Sequence, residues 1–340
     1  MSRASRARRI AVAAAYGGGT VGAAGAALVG VLAAQAQLAR RTVGEPTTVP
    51  PVADGIYRPA QASGEDAPLT LALLGDSSAA GLGVELPEQT PGALLAGGLA
   101  ELAGRPVRLV NAALVGAQSS QLLDQVAAVL LRDPDVAVIM VGANDVTHRV
   151  RPVNSVRHLA EAVRALRAAG VKVVVGTCPD LGTVEPIGQP LRLVARRWSR
   201  MLAAAQTIAA VEAGGRSVSL GDLLGPEFTA APRVMFSADR FHPSASGYAR
   251  LASTLLPSVA AMLEAVPQEY DEPPVVERGE AVSSLTDAAA QAAEVPGTEV
   301  AGTEVGGREH GPWGRWAVLR HRIRRGTRRP AGPQPEELVR

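Results

Sequence analysis

Four short segments hold residues whose types and spacing could do chemistry: Gly75-Asp76-Ser77-Ser78, then Gly116, then Gly142-Ala143-Asn144-Asp145, and last Asp239-Arg240-Phe241-His242-Pro243. A serine hydroxyl is a weak nucleophile until a base stands within hydrogen-bond reach. His242 is a base of the right kind, and Asp239, three residues earlier in a loop, can hold its other ring nitrogen. Attack on an ester places negative charge on the carbonyl oxygen, so donors aimed at that oxygen supply a large part of the catalysis. Gly116 has no side chain to keep a backbone amide away from a substrate. Each segment alone is common in proteins; their order and spacing carry the weight.

Other readings of the same residues stand beside these. His242 could cap the helix expected to begin near Ser244, and Gly116 could be an ordinary turn glycine. Asp76 and Asp145 are sequence neighbours of catalytic candidates, which suits them to satisfying loop amides. Ser78 is a rival nucleophile, His148 follows the Asn144 loop with Asp145, three residues before it, read as satisfying loop amides, and His158 falls in an expected helix as a surface residue. No His, Cys or acid cluster has metal-ligand spacing, so a mechanism without metal or cofactor is expected. The sequence has no Gly-x-Ser-x-Gly elbow, no Gly-x-Gly-x-x-Gly after a strand and no P-loop.

The segments, in this order, resemble the SGNH branch of the GDSL esterase and lipase family over roughly residues 69–263, with its signature Ser, Gly, Asn and His on Ser77, Gly116, Asn144 and His242. The resemblance implies a three-layer, flavodoxin-like α/β sandwich with a mostly parallel sheet. It also implies that Ser77 attacks, that His242 oriented by Asp239 moves the proton, and that an oxyanion hole forms from the Ser77 and Gly116 amides and the Asn144 side chain.

The elements needed to position these residues are readable independently. Leu69–Leu74 is a continuous apolar run ending in glycine, as in a parallel strand covered on both faces, and similar runs recur at 107–110, 136–141 and 171–175. A weaker strand is expected at 217–220. Helical spacing falls between them, at 92–102, 120–131, 155–169 and 190–212, with a closing helix over 244–263. Such alternation predicts an α/β fold whose sites form at the carboxyl ends of the strands. Ser77, Gly116 and Asn144 follow the first three strands.

Charge is unevenly spread along the 340 residues. Residues 1–41 carry six Arg and no acid, residues 308–340 carry nine Arg against three Glu, and residues 262–305 carry ten acids against Arg278 alone. The catalytic stretch is therefore near neutral, which argues against a nucleic-acid surface. Residues 10–39 contain no charged side chain and follow Arg3, Arg6, Arg8 and Arg9, a pattern shared by an uncleaved signal anchor and by a signal peptide cut after Ala34-Gln35-Ala36. Either reading exports the chain, and the Arg excess before the segment leaves the catalytic domain outside. A buried Ala-rich helix is the bland alternative. Residues 42–68, with five Pro, read as a linker, 69–265 as the hydrolase domain and 266–340 as a disordered tail, acidic and then Arg-rich. Cys178, the only cysteine, precludes an intramolecular disulfide.

Together these readings predict an exported, membrane-associated serine esterase or lipase that works through an acyl-enzyme on small-molecule or envelope-derived esters. Two rivals are an acyltransferase and a catalytically silent binding module on the same fold. Only 38 residues separate Ser77 from Gly116, and they must hold a helix and a strand. Little is left for a lid, so an open cleft for short acyl groups on envelope glycans or lipids is expected.

Overall fold

The computed structural model describes residues 27–39, 41–42, 49–61 and 66–263, together with a short antiparallel pair, Glu304–Val305 with Arg308–Glu309. Residues 1–26 of the expected anchor or signal peptide and nearly all of the expected tail lie outside the described residues.

Six strands form one sheet: β1 (Gly55–Tyr57), β2 (Leu69–Gly75), β3 (Val107–Asn111), β4 (Val136–Met140), β5 (Lys172–Gly176) and β6 (Arg216–Val218), in the order β1-β3-β2-β4-β5-β6. All neighbours are parallel except β1, which pairs antiparallel with β3. Without that edge strand the order is the flavodoxin-like 2-1-3-4-5, whose switch point lies between the central pair, here β2 and β4. The helices are α1 (27–39), α2 (Ser77–Ala80), α3 (Pro91–Ala103), α4 (Leu122–Leu130), α5 (Ala143–Thr147), α6 (Pro152–Ala168), α7 (Leu191–Glu212), α8 (Leu220–Ala230), α9 (Pro232–Met235) and α10 (Ala245–Met262).

The absence of polar alternation in the central strands follows from burial on both faces. Leu71, Leu73, Val138, Met140 and Val174 join one core with α3, α8 and α10. Ala72, Leu74, Ile139, Val173 and Val175 join another with α4, α6 and α7. This is the three-layer α/β sandwich with a mostly parallel sheet. Local signals set helix starts: Thr90 accepts from the Ala93 amide with Pro91 at the first position of α3, and Ser244 accepts from the Gly247 amide ahead of α10.

Two features differ from expectation. The sheet begins upstream of residue 69: β1 lies inside the stretch read as a linker, held by the Asn111 amide donating to Asp54 (2.9 Å) and the Tyr57 hydroxyl donating to the Ala53 carbonyl (2.7 Å). Three residues between prolines are too few to show a period. Helix α8 was not expected, because Gly221, Gly225 and Pro226 interrupt its helical signal. Of the uncharged segment 10–39 only residues 27–39 are described, and no helix among the described residues is long and apolar enough to cross a membrane. Helix α1 runs beside the loop before α7, where the Leu191 amide donates to Gln35 Oε1 (3.0 Å) and Gln35 Nε2 donates to the Gln189 carbonyl.

Candidate active site

At the end of β2 the backbone of Gly75 has φ +137°, and a Cβ there would lie 1.8 Å from the Met140 carbonyl oxygen of the adjoining strand. Only glycine allows that approach. Asp76 then caps α2, its Oδ1 accepting from the Ser78 amide (2.9 Å), and presents Ser77 as the first residue of the helix. Ser77 Oγ lies 3.0 Å from His242 Nε2, and His242 Nδ1 lies 2.6 Å from Asp239 Oδ2.

The Asp239–His242 turn is built to keep its carboxylate ionised. Burial alone would raise the Asp239 pKa, but hydrogen bonds outweigh it: His242 Nδ1 on one oxygen, and on the other the Phe241 amide (2.8 Å), the His242 amide (2.9 Å) and the Ser237 hydroxyl (2.8 Å). The carboxyl is thereby held well below the usual carboxylate range. Arg240 takes the left-handed backbone (φ 58°) that brings these amides round, and the Ser237 amide closes the turn on the His242 carbonyl at 2.8 Å. In this geometry an imidazole between carboxylate and hydroxyl can accept the serine proton and hold it as a stabilised cation.

Gly116 follows β3 and Asn144 follows β4, the two strands that flank Ser77's β2, and their loops meet at its end. Asn144 is the second residue of α5, and its Nδ2 donates to the carbonyl of Ala117 (3.1 Å), one residue past Gly116. Gly116 is exposed with φ +80°, and a Cβ there would meet nothing within 4 Å, so left-handed backbone rather than crowding calls for glycine. Neither the Ser77 nor the Gly116 amide donates to an acceptor among the described residues. Asp145 is buried and ties the two loops, accepting from the Ser119 amide (3.2 Å) and hydroxyl (2.7 Å). His148 packs its Nδ1 on the Asn144 carbonyl (2.9 Å), and His158 pairs with Glu161 at 3.5 Å on α6.

Two positioning residues were missed from the sequence. Gln125 Oε1 accepts from the Gly75 amide (2.7 Å) while its Nε2 donates to the Gly75 carbonyl (3.0 Å). Gln206 does the same between the Cys178 amide (2.7 Å) and the Val141 carbonyl (2.9 Å). Both side chains are buried, and they pin the strand ends that carry Ser77 and Asn144. Their signal is a polar residue inside an apolar helical stripe: Gln125 sits among Leu122, Val126 and Val129.

Near the Ser77–His242 pair, and lined by neither of the two, lies a mainly apolar pocket with about 80 Å³ of free space, several times the roughly 10–15 Å³ that one water needs by a like measure. Asp76 and Ser78 flank the serine and Phe241 and Pro243 flank the histidine along its wall; Leu181, Val184, Leu220, Leu224 and Phe228 complete the apolar lining. The expected open cleft did not include this pocket, because its far wall is the unforeseen α8.

The profile of the GDSL-like lipase/acylhydrolase family matches residues 73–250. The GDSL-like esterase Rv1075c of Mycobacterium tuberculosis is 44% identical over 266 residues, covering 75% of this chain and 84% of that protein. Esterase TesA of Pseudomonas aeruginosa is 29% identical over 195 residues, covering 57% of this chain and 89% of that protein. A crystal structure of TesA aligns with a TM-score of 0.46 at 28% identity, covering 57% of this chain and 99% of that one. With a family profile spanning more than half its length and a relative of 44% identity, the chain belongs to the GDSL-like lipase/acylhydrolase family and is a serine hydrolase of ester bonds.

Proposed function

We propose that the chain is an exported esterase that works through an acyl-enzyme on Ser77 and takes short acyl groups, such as those esterified to envelope glycans or lipids. Ser77 Oγ attacks the ester carbonyl as His242 Nε2 takes its proton. The oxyanion is held by the Ser77 and Gly116 amides and by Asn144 Nδ2, whose bond to the Ala117 carbonyl occupies one of its two hydrogens and orients the other. Collapse of the intermediate breaks the bond to the alcohol, which leaves with the proton from His242. Water, deprotonated by His242, then releases the acid and restores Ser77.

The observation carrying this reading is the unbroken relay Ser77 Oγ, His242 Nε2, His242 Nδ1, Asp239 Oδ2, with links of 3.0 and 2.6 Å. Export is supported by the Arg cluster ahead of the uncharged residues 10–39. Short-acyl preference is supported by the size of the pocket beside Ser77, where each methylene that finds room contributes about 0.8 kcal/mol and those beyond it contribute little.

A fluorophosphonate probe should label the protein, and Ser77→Ala should abolish both labelling and turnover; labelling that survives the substitution refutes Ser77 as nucleophile. Across p-nitrophenyl esters, kcat/KM should peak at about two to six carbons, whereas a steady rise toward about twelve would restore a long-chain lipase.

A further inference from the structure

Two helices turn apolar side chains outward, where a surface helix ordinarily carries polar ones. Helix α7 buries Ala195, Ser199 and Leu202, and the stripe opposite them, Leu193, Arg197 and Met201 at i, i+4 and i+8, is exposed with Trp198 at its edge. Leu193 is 61% exposed, and Trp198 and Met201 are each 43% exposed. Trp198 is the one tryptophan among the described residues. Helix α1 has the same character: Leu32, Gln35, Ala36 and Ala39 turn to the domain, which leaves Val29, Val31 and Leu38 exposed on the rest of its surface. The two helices are joined at Leu191, the first residue of α7, whose amide donates to Gln35 Oε1 (3.0 Å).

Exposed apolar side chains gathered on one face mark a docking surface, and the charges around them indicate the partner. Four arginines and no acid fall in the first ten residues of α7, and Arg41 is exposed just past α1. Asp180 takes up part of that charge from the inner side, pairing with Arg196 (3.3 Å) and Arg200 (3.2 Å), while Arg197 belongs to the outward stripe. Trp, Leu and Met with arginine among them suit the headgroup layer of a bilayer, where an indole finds both apolar and wet surroundings and long cationic side chains reach phosphates. A second copy is a poorer occupant, because two-fold pairing of this face would bring its arginines toward their own equivalents. The course of the chain points the same way. The residues that lead into α1 carry no charged side chain back to Ile10, a composition that lipid accepts.

We infer that the outward stripe of α7 from Leu193 to Met201, with the exposed face of α1, seats the folded domain on an anionic lipid bilayer. The contact belongs to the folded domain itself. It goes beyond the esterase reading and neither requires nor alters any step at Ser77. Helix α7 packs on β6 at one edge of the sheet, and β1 forms the other edge, five strand spacings or about 24 Å away. A domain seated by α7 therefore holds β1 clear of the lipid.

The test uses the full chain with its one buried cysteine removed by Cys178→Ala, labelled with a nitrobenzoxadiazole dye through Leu193→Cys or, as the reference, through Ile56→Cys at an exposed position of β1. Vesicles of phosphatidylglycerol and phosphatidylcholine carry a nitroxide-labelled lipid as quencher. Dye at position 193 should move to shorter emission wavelength and be quenched several-fold more than dye at position 56. Adding Trp198→Ser with Met201→Ser, both at exposed positions, should remove most of that difference, and so should vesicles of phosphatidylcholine alone. Thermal melting checks that each variant is folded, whatever its activity. Equal quenching at the two positions, or none at 193, overturns the inference, because a chain held only by its upstream residues leaves the domain free to tumble above the surface. A difference that survives the paired substitutions, or that is as large on phosphatidylcholine alone, overturns the assignment of this face to anionic lipid. A dimer seen by sedimentation without vesicles, and dissolved by Trp198→Ser with Met201→Ser, would instead give the face to a second copy.

Discussion

Two carboxylates flank the chemistry, and their surroundings push them in opposite directions. Asp239 is held ionised by the hydrogen bonds of its turn, whereas burial pushes Asp76 up to about 6, opposed by the Ser78 amide and by the nearby His242 and reinforced by Asp145. For Asp76 the unfolded value is 3.8 and the folded value higher, so its contribution to stability is fully present below 3.8 and is lost as pH rises through about 6. Asp76→Asn keeps an oxygen to cap α2 but removes the buried charge. It should raise stability near pH 8, by at most about 3 kcal/mol, with the gain vanishing below about pH 4; thermal melts at the two pH values measure this, and a gain confined to the acid side would reverse the assignment. Asp239 has the opposite sign: its contribution is present above the ordinary carboxylate pKa and is lost only on strong acidification. Asp239→Asn forfeits that contribution and should lower the melting temperature at neutral pH while leaving the protein folded, with turnover reduced on the order of 10³-fold or more because the imidazole loses its orienting anion. An unaltered rate would mean another group positions His242. For Asn144→Ala, kcat should fall about 10²–10³-fold with little change in KM; a change confined to KM would move Asn144 from charge stabilisation to substrate binding.

The elements that carry the site were the readable part of the sequence. Strands β2, β4 and β5 bury both faces, so unbroken runs such as Leu69–Leu74 stand out, and Ser77, Asn144 and the Asp239–His242 turn are contiguous motifs at or near strand ends and helix starts. What was hidden is non-local or irregular. Gln125 and Gln206 act on backbone 50 and 28 residues away, a relation that periodicity does not encode. Helix α8 carries two glycines and a proline in 11 residues, and it survives because Leu220, Leu224 and Phe228 are buried in the core rather than through propensity. Missing α8 meant missing the pocket. This suggests a test at the same scale: Leu224→Ala should destabilise the protein by about 2–5 kcal/mol and, by lengthening the pocket, move the p-nitrophenyl ester optimum toward longer chains. A destabilised variant with an unchanged chain-length profile would place the acyl group elsewhere.

On the scale of the whole molecule, the buried residues of the two cores lie almost entirely between Leu71 and Ala260; upstream, among the described residues, Ala39 and Ala53 are buried in the first core and Tyr57 and Leu69 pack against it. Helix α1 contributes the two Gln35 hydrogen bonds, the burial of Ala39 and the partial burial of Leu32 and Ala36, while Leu28, Val29 and Leu38 stay exposed by half or more. These contacts are together equivalent to about 2–3 kcal/mol. A domain of this size has roughly 5–15 kcal/mol of stability. The apolar outer face of α1 thus adds little to the fold, and it suits a segment whose upstream residues are uncharged and preceded by arginines. Deleting residues 1–41 should accordingly yield a folded domain that retains β1, is labelled by a fluorophosphonate and hydrolyses short p-nitrophenyl esters at close to the parent kcat/KM. Its melting temperature should fall by about 2–4 °C per kcal/mol lost. An insoluble product, or one that melts far below the parent, would show that α1 is an integral layer of the domain and would remove the support for reading it as an export segment.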